Sequence, residues 1–557
     1  MRVLKVSPWL LAIAFVLPAG ISCKKSDSNT TPAVNDFTLA FKVNNVYNGT
    51  LNYAGVNLKP QVRFSFSEAI LPATVPAAIE FKTAGGATVA FNNELTNGNK
   101  DLLIKPAANL AGFEKYTLRI SSALKSSNGS LTNPVTINLS TGIDSSRKFA
   151  AITDNALLDL VQAQTFKYFY DFGHPVSGLA RERNTSGETV TSGGSGFGIM
   201  ALITGVHRNF ITRNEGLLRM QKIVGFLKNT AQTVKGAFPH WLNGTTGAII
   251  PFSALDNGAD LVETSYLIQG LICAREYFNG AGAEASLRAD INFIRDRVEW
   301  DFFRQGNQNV LYWHYSNTNN FAINLKVQGW NECLITYVLA ASSPTHSITP
   351  PVYTNGWARN GGAGFVNGSS YYGYQLPLGQ ALGGPLFYEH YSFLGINPNG
   401  LADAYANYTT QTKNHTLINY NYCKANPNGF YGYSDSVWGL TASDIPNGYA
   451  ASSPTNDLGV IAPTAALSSF PYTPVESMKA LKFYYYVLGD RLFKEYGFID
   501  AFKLNDPWFA NSFLAIDQGP IIVMLENYRS GLLWNLFTGA PEVKSGMLSL
   551  GFTAPYL

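Results

Sequence analysis

A chain of 557 residues is too long for one ordinary domain, and with 46% hydrophobic residues it can bury large cores in two or three. Only 14% of its residues are charged and the net charge is +3, which leaves no electrostatic footprint for nucleic acid or acidic lipid. Aromatics at 13% together with 51 glycines describe broad, ring-lined loops suited to stacking a neutral, ring-shaped ligand, and carbohydrate fits that description.

In chain order, residues 1–22 read as a secretory signal peptide. Arg2 and Lys5 are followed by an apolar run over residues 9–17 that is too short to span a bilayer, then by small residues up to Cys23. Gly20-Ile-Ser-Cys23 resembles a bacterial lipoprotein cleavage site, with Gly20 in place of the usual Leu. The expectation is export to the periplasm or cell surface with a lipid anchor on Cys23; the competing reading is a simple cleavage site beside an ordinary cysteine. Polar residues 23–35 form a tether. Residues 36–142 then hold about seven short runs of alternating apolar and polar residues, such as Val62-Arg-Phe-Ser-Phe-Ser67 and Tyr116-Thr-Leu-Arg-Ile120, separated by Gly, Asn and Pro turns. That is the count of an immunoglobulin-like β-sandwich, and the stretch resembles bacterial Ig-like modules. It contains no cluster of catalytic residue types and reads as a spacer or docking module.

From about residue 150 to 557 the periodicity is helical. Helices are expected at 154–172, 198–206, 213–229, 260–278, 283–298, 328–340, 401–414, 474–488, 491–496 and 518–530, joined by long loops rich in Gly, Asn, Pro, Tyr and Trp. About a dozen helices in four hundred residues would suit an (α/α)6 toroid with a cleft at one end. The remaining cysteines, Cys273, Cys333 and Cys423, are odd in number and lack a CxxC pair, which argues against a zinc site.

The most informative stretch is Asp256 to Phe278. In a continuous helix, Asp256, Asp260 and Glu263 would share a sector of about 60°, and the same face continues as Leu267, Leu271, Ala274 and Phe278. Either Asp256 or Asp260 could simply cap the helix. Three aligned acids ask for more, because like charges one turn apart repel. A sugar-cleaving site and a calcium site are both adequate reasons.

Other stretches also set acids beside rings. Glu332 follows Trp330 at the start of an apolar helix; Asp444 lies between Trp438 and Tyr449; Asp517 opens a helix that also carries Glu526 and Arg529, a plausible internal ion pair. Arg183 precedes the glycine-rich Thr191-Ser-Gly-Gly-Ser-Gly-Phe-Gly198, which lacks the ending and the preceding strand of a phosphate loop and reads as a tight backbone approach at a cleft rim.

These motifs, with Gly384-Pro-Leu-Phe387, Ala462-Pro-Thr-Ala465 and Ile516-Asp-Gln-Gly519, resemble the bacterial glucoamylase-like domain, and within it glycoside hydrolase family 144, the endo-β-1,2-glucanases. The resemblance covers residues 151–553. It implies an (α/α)6 fold, hydrolysis of β-1,2-glucan and inversion at the anomeric carbon, with the family's acids falling on Asp256, Asp260, Glu263, Glu332 and Asp517. Arg183, Trp241, Trp330, Tyr388, Trp438, Asp444 and Tyr449 are the expected sugar-binding residues. No cofactor and no resident metal are called for, although calcium stays open at the acid cluster, and a monomer is expected.

Mechanistically, Glu332 is the choice for the general acid because an apolar setting keeps a carboxyl protonated. Inverting enzymes need carboxyls about 6.5 to 9.5 Å apart, more than two acids one turn apart on one helix provide, so a base on another helix, such as Asp517, or one acting through a relay water from the triple-acid face, fits better. Two rival readings stand: a surface lipoprotein that binds glycan without cutting it, and an exo-acting hydrolase that releases disaccharide.

Overall fold

The computed structural model describes residues 37–557. The signal peptide, the tether and Cys23 lie outside these residues.

The first part is a sandwich of two four-stranded sheets. One runs in the order Leu39–Val43, Val62–Phe66, Asp101–Pro106, Phe91–Thr96; the other runs Asn52–Val56, Val135–Thr141, Lys115–Ile120, Ile79–Thr83. Alternation builds the core. Val62, Phe64 and Phe66 turn inward while Arg63 and Ser65 face out, and Phe64 sits opposite Phe41 and Leu102 on its neighbours. Two details differ from the periodicity. Asn52–Val56, whose Asn-Tyr-Ala-Gly-Val sequence has no clean alternation, joins as an edge strand parallel to Val135–Thr141. The alternating run Thr88-Val-Ala-Phe91 is not itself a strand; pairing starts at Phe91, along Asp101–Pro106.

The second part is helical. Its central element, Ser192–His207, runs straight through the glycine-rich segment expected as a rim loop. Isolated glycines disfavour helix by about 1 kcal/mol each, so packing has to supply the reason. It does: a Cβ on Gly196 would stand 2.1 Å from the Tyr266 carbonyl oxygen, and one on Gly270 would stand 2.2 Å from the Gly196 carbonyl oxygen. Helices Ser192–His207 and Leu261–Tyr277 therefore touch backbone to backbone, a distance that only glycine permits.

Further contacts lead from helix to helix at the same end. The Gly193 amide donates to Glu263, Ser265 bonds Thr336 of Leu334–Ser342, and the Ile335 amide donates to Ser392. His390 bonds Ser469, just past Pro463–Leu467, and Thr464 donates to the Asp517 carbonyl in Ala515–Ser530. Ala515 in turn lies against Gly194. The circuit closes on itself, and the N-terminal ends of Ser192–His207, Leu261–Tyr277, Leu334–Ser342, Pro463–Leu467 and Ala515–Ser530 meet at one end of the domain.

Three expected helices are displaced. That at 491–496 ends at Leu492, where Phe493–Lys494 becomes a strand paired with Gly497–Phe498. That at 401–414 forms as Tyr408–Ala425, where the Asn407 side chain caps the Thr410 amide; that at 328–340 forms as Leu334–Ser342, leaving Glu332 in the turn ahead of it. Cys273, Cys333 and Cys423 are free and buried.

Candidate active site

Helix N-termini carry unpaired amides and a partial positive charge, so a ring of them is where carboxylates are best tolerated. Of the acids singled out from the sequence, all but Glu526 collect there, in two walls with Glu332 beside the first.

The first wall holds Asp256, Asp260 and Glu263, all buried. They are not three residues on one helical face. The helix begins at Leu261, and Asp260 is its N-cap, in extended conformation, with Oδ1 accepting from the amides of Val262 and Glu263 at 3.0 and 2.9 Å. A short strand pairing of Ala259–Asp260 with His314–Tyr315 fixes the approach, and Asp256 belongs to the preceding loop. Glu263 Oε2 accepts from the Gly193 amide at 2.7 Å and from the Thr191 hydroxyl at 3.2 Å. Two histidines enter this wall. His240 Nδ1 lies 3.2 Å from Asp260 Oδ2, and His314 Nε2 lies 3.5 Å from Asp256 and 3.7 Å from Asp260.

Burial works against a charge on His240, but Glu263, Asp260 and Asp256 outweigh it and lift its pKa to about 9. It is therefore an imidazolium at neutral pH. Burial likewise opposes the Asp260 charge, yet the His240 bond, the His314 charge and the helix amides hold its pKa below the usual carboxylate value. Asp256 and Glu263 are pushed up, first by burial and then by the Asp260 charge. His240, Asp256 and Asp260 are also the groups that could hold a cation, with candidate ligand atoms within 4.8 Å of one another. The protonated His240 already supplies a positive charge at that point.

Glu332 lies beside this wall. Its carbonyl accepts from the Ser392 hydroxyl. The residue is partly exposed, but protein surrounds its carboxyl closely enough that burial, reinforced by Asp260 and Glu263, raises its pKa to about 7. Tyr388, half-buried, feels the Glu332 charge.

The second wall is built on Asp444, Asp500 and Asp517. Asp517 stands in the first turn of Ala515–Ser530, but Leu514 is the N-cap, so the carboxyl is not spent on capping. Asp500, which the sequence did not single out, is hydrogen-bonded to it. Asp500 Oδ2 accepts from the Asp444 amide at 2.6 Å; Asp500 Oδ1 and Asp517 Oδ2 are buried without another partner among the described residues. Burial raises the Asp500 pKa to about 7 although the bonds from Asp517 and the Asp444 amide pull it down, and burial followed by the Asp500 charge and hydrogen bond raises that of Asp517 well above its ordinary value, so the pair retains a proton near neutral pH. Arg183 Nη1 contacts both Asp444 oxygens at 3.2 Å, and the Ser512 hydroxyl donates to Asp444 Oδ2 at 2.5 Å. Exposed Tyr449 flanks this group on the strand paired with Asp444.

A cluster of buried rings that the sequence also did not mark links the two groups of acids. Tyr391 packs on Phe197, Tyr266 and Phe387 at 5.2 to 5.7 Å, and its hydroxyl senses Asp517 on one side and Glu332 and Glu263 on the other. The other expected sugar-binding rings divide. Trp241 is half-buried at the rim, 4.8 Å from half-exposed Phe252, which itself stacks 4.3 Å from His240. Trp330 and Trp438 are corrections, because both are core. Trp330 packs among Trp357, Phe365, Phe393 and Tyr408 and donates its ring N–H to buried Glu389. Trp438 is fully buried, edge-on to Tyr420, with its N–H on the Glu476 carbonyl. The internal pair expected between Glu526 and Arg529 is also replaced: Glu526 binds Arg208, and Arg529 binds Asp159.

Residues 324–541 match the Glycoamylase family model, described as a glucoamylase, and residues 36–141 match a bacterial Ig-like domain model. The chain belongs to this glucoamylase-like family, of the glycoside hydrolase family 144 type, with an Ig-like domain ahead of the helical one. Among solved structures, it is 49% identical to the endo-β-1,2-glucanase of Chitinophaga pinensis in complex with sophorotriose and glucose, over 73% of this chain and 100% of that one, with a TM-score of 0.71. It is 37% identical to a β-1,2-glucanase from Parabacteroides distasonis, over 90% of this chain and 72% of that one, with a TM-score of 0.70. A curated P. distasonis protein, an exo β-1,2-glucooligosaccharide sophorohydrolase acting at the non-reducing end, is 45% identical over 418 residues. That match spans 71% of this chain and 58% of the relative's length.

Proposed function

We propose that this protein hydrolyses β-1,2-linked glucan by an inverting mechanism, cutting within the chain, at the mouth of an (α/α)6 toroid. The observation that carries the reading is that Glu332, with a pKa of about 7, and the proton-sharing pair Asp500 and Asp517 both act on one buried ring, since the Tyr391 hydroxyl feels the charges of Asp517 and Glu332. The relatives with β-1,2-glucanase activity support the substrate, and the closed circuit of helices supports the toroid.

Glu332 is the general acid. A pKa near the working pH leaves it protonated often enough to donate to the departing glycosidic oxygen and acidic enough to do so quickly. The Asp517–Asp500 pair is the base. It keeps one proton and one charge near neutrality, and its remaining carboxylate takes up a second proton around pH 7, which suits it to draw a proton from the attacking water. Asp256, Asp260 and Glu263 grip sugar hydroxyls as a group, held in place by His240 and the helix amides.

A time course on linear β-1,2-glucan tests the reading. Mixed sophoro-oligosaccharides from the start are expected. An intact polymer that nonetheless raises the melting temperature would instead mark a binding protein. The exo reading has its own support, since the P. distasonis protein that is 45% identical over 418 residues is an exo sophorohydrolase acting at the non-reducing end; sophorose as the sole early product would establish it. Export and a Cys23 lipid anchor, read from the leader, complete the proposal, and the mass of the mature N-terminus in membrane extracts tests them.

A further inference from the structure

The second wall is reached from the Ig-like module through a β-hairpin. At its root the Asp500 amide donates to the Ser512 carbonyl and the Ala510 amide to the Ala501 carbonyl; beyond them Phe502–Lys503 pairs with Trp508–Phe509. Consecutive residues on a strand point to opposite faces. Trp508 accordingly lines a cavity of about 560 Å³ with Arg183, Asp444, Tyr449 and Ser512, while Phe509 faces the Ig-like module, edge-on to Phe113 at 5.6 Å.

The module grips this hairpin at two points. Phe113 is held with φ at 60°, a conformation costly for a bulky residue, by a bond from its amide to the Gly142 carbonyl, and Arg491 reaches from beside the Phe509 ring to Glu114 at 3.3 Å. At the tip, Asn505 accepts from the amide of Tyr431, whose ring is plugged into the module: its hydroxyl accepts from the Ile143 amide at 3.0 Å, and a Cβ on Gly55 or Gly142 would collide with it.

We propose that the Ig-like module is a brace for this hairpin, and that it thereby holds Trp508 as a stacking wall for a glucosyl unit in the Arg183–Asp444–Tyr449 pocket. The sugar part of this inference rests on the glucan reading above. The bracing part does not. Phe113 is a positioning residue that touches no substrate, and Trp508 is a specificity-determining one.

The experiment uses full-length Phe113→Ala, Trp508→Ala and the double variant. Trp508→Ala should raise KM for sophoro-oligosaccharides about tenfold with kcat nearly unchanged, as expected for loss of one aromatic anchor. Phe113→Ala should raise KM in the same sense, and the double variant should be no worse than Trp508→Ala, because both remove one interaction. Hydrogen exchange over residues 502–509, measured without sugar, should quicken in Phe113→Ala. Unchanged exchange would overturn the brace whatever the enzyme cleaves, and quickened exchange with an unchanged KM, or additive KM effects, would overturn the role given to Trp508. Phe113→Leu, which retains apolar bulk, gives the same readouts if the alanine variant folds poorly.

Discussion

The two walls of the cleft crowd carboxylates together by different means. In the first, Asp256, Asp260 and Glu263 are made compatible by a cation, the His240 imidazolium, with amides of two helix starts. In the second, Asp500 and Asp517 are made compatible by a proton they share, while Asp444 takes the nearby cation, Arg183. A wall held by a fixed cation keeps its charge through the reaction and suits binding and orientation. A wall held by a shared proton is poised to gain or lose one, and suits chemistry.

The largest test of this contrast removes the proton donor that stands beside the first wall. Glu332→Gln should lower kcat by about a thousandfold or more while calorimetry still finds oligosaccharide bound. Asp500→Asn comes next. The amide can still donate to Asp517 but removes the shared proton, so the Asp517 pKa should fall toward the ordinary carboxyl range. The acid limb of the kcat/KM profile should then move down by about one pH unit or more, with a loss of about tenfold or more in kcat. A lower rate with an unmoved limb would reduce Asp500 to scaffolding.

Stability against pH separates the walls further. The folded-state pKa of His240, about 9, is above its ordinary 6.5, so its stabilising contribution is complete below pH 6.5 and is lost as the pH rises through 9. Asp500, raised from 3.8 to about 7, also makes the fold less stable with rising pH, but in the window from about 4 to 7. Urea unfolding of His240→Gln should flatten the upper window only, and that of Asp500→Asn the lower one only. The smallest effect on function is expected at Trp330→Phe, which leaves Glu389 short of a donor. It should cost about 1 to 3 kcal/mol of stability with KM unchanged.

The sequence displayed the sandwich clearly because alternation at Val62, Phe64 and Phe66 is dictated by one buried sheet face. It displayed the first wall almost as well, though for an inexact reason, since Asp256 and Asp260 are gathered by a loop, a strand pairing and a cap rather than by helical phase. Asp500 was invisible. It sits in Gly497-Phe-Ile-Asp-Ala501 between apolar neighbours, and only the fold brings it to Asp517. His240 and His314 were hidden similarly, each flanked by a tryptophan that draws attention to stacking instead. Trp330 and Trp438 misled because nearness to an acid in sequence says nothing of where a ring points; the N–H of Trp330 finds Glu389, a partner fifty-nine positions away. A helix propensity argument could not have carried Ser192–His207 back through its glycines, because the reason for them lies on another helix.

That glycine contact bears on how the site can drift over generations. With Gly196 and Gly270 in mutual backbone contact, the Gly193 amide and the Glu263 carboxylate that accepts from it ride on two rods fastened at a common point. A single added methyl at the fastening would separate the rods far from any sugar and draw donor from acceptor in the cleft. The chain is thus free to vary the rings that meet its substrate, yet is bound to two residues with no side chain at all.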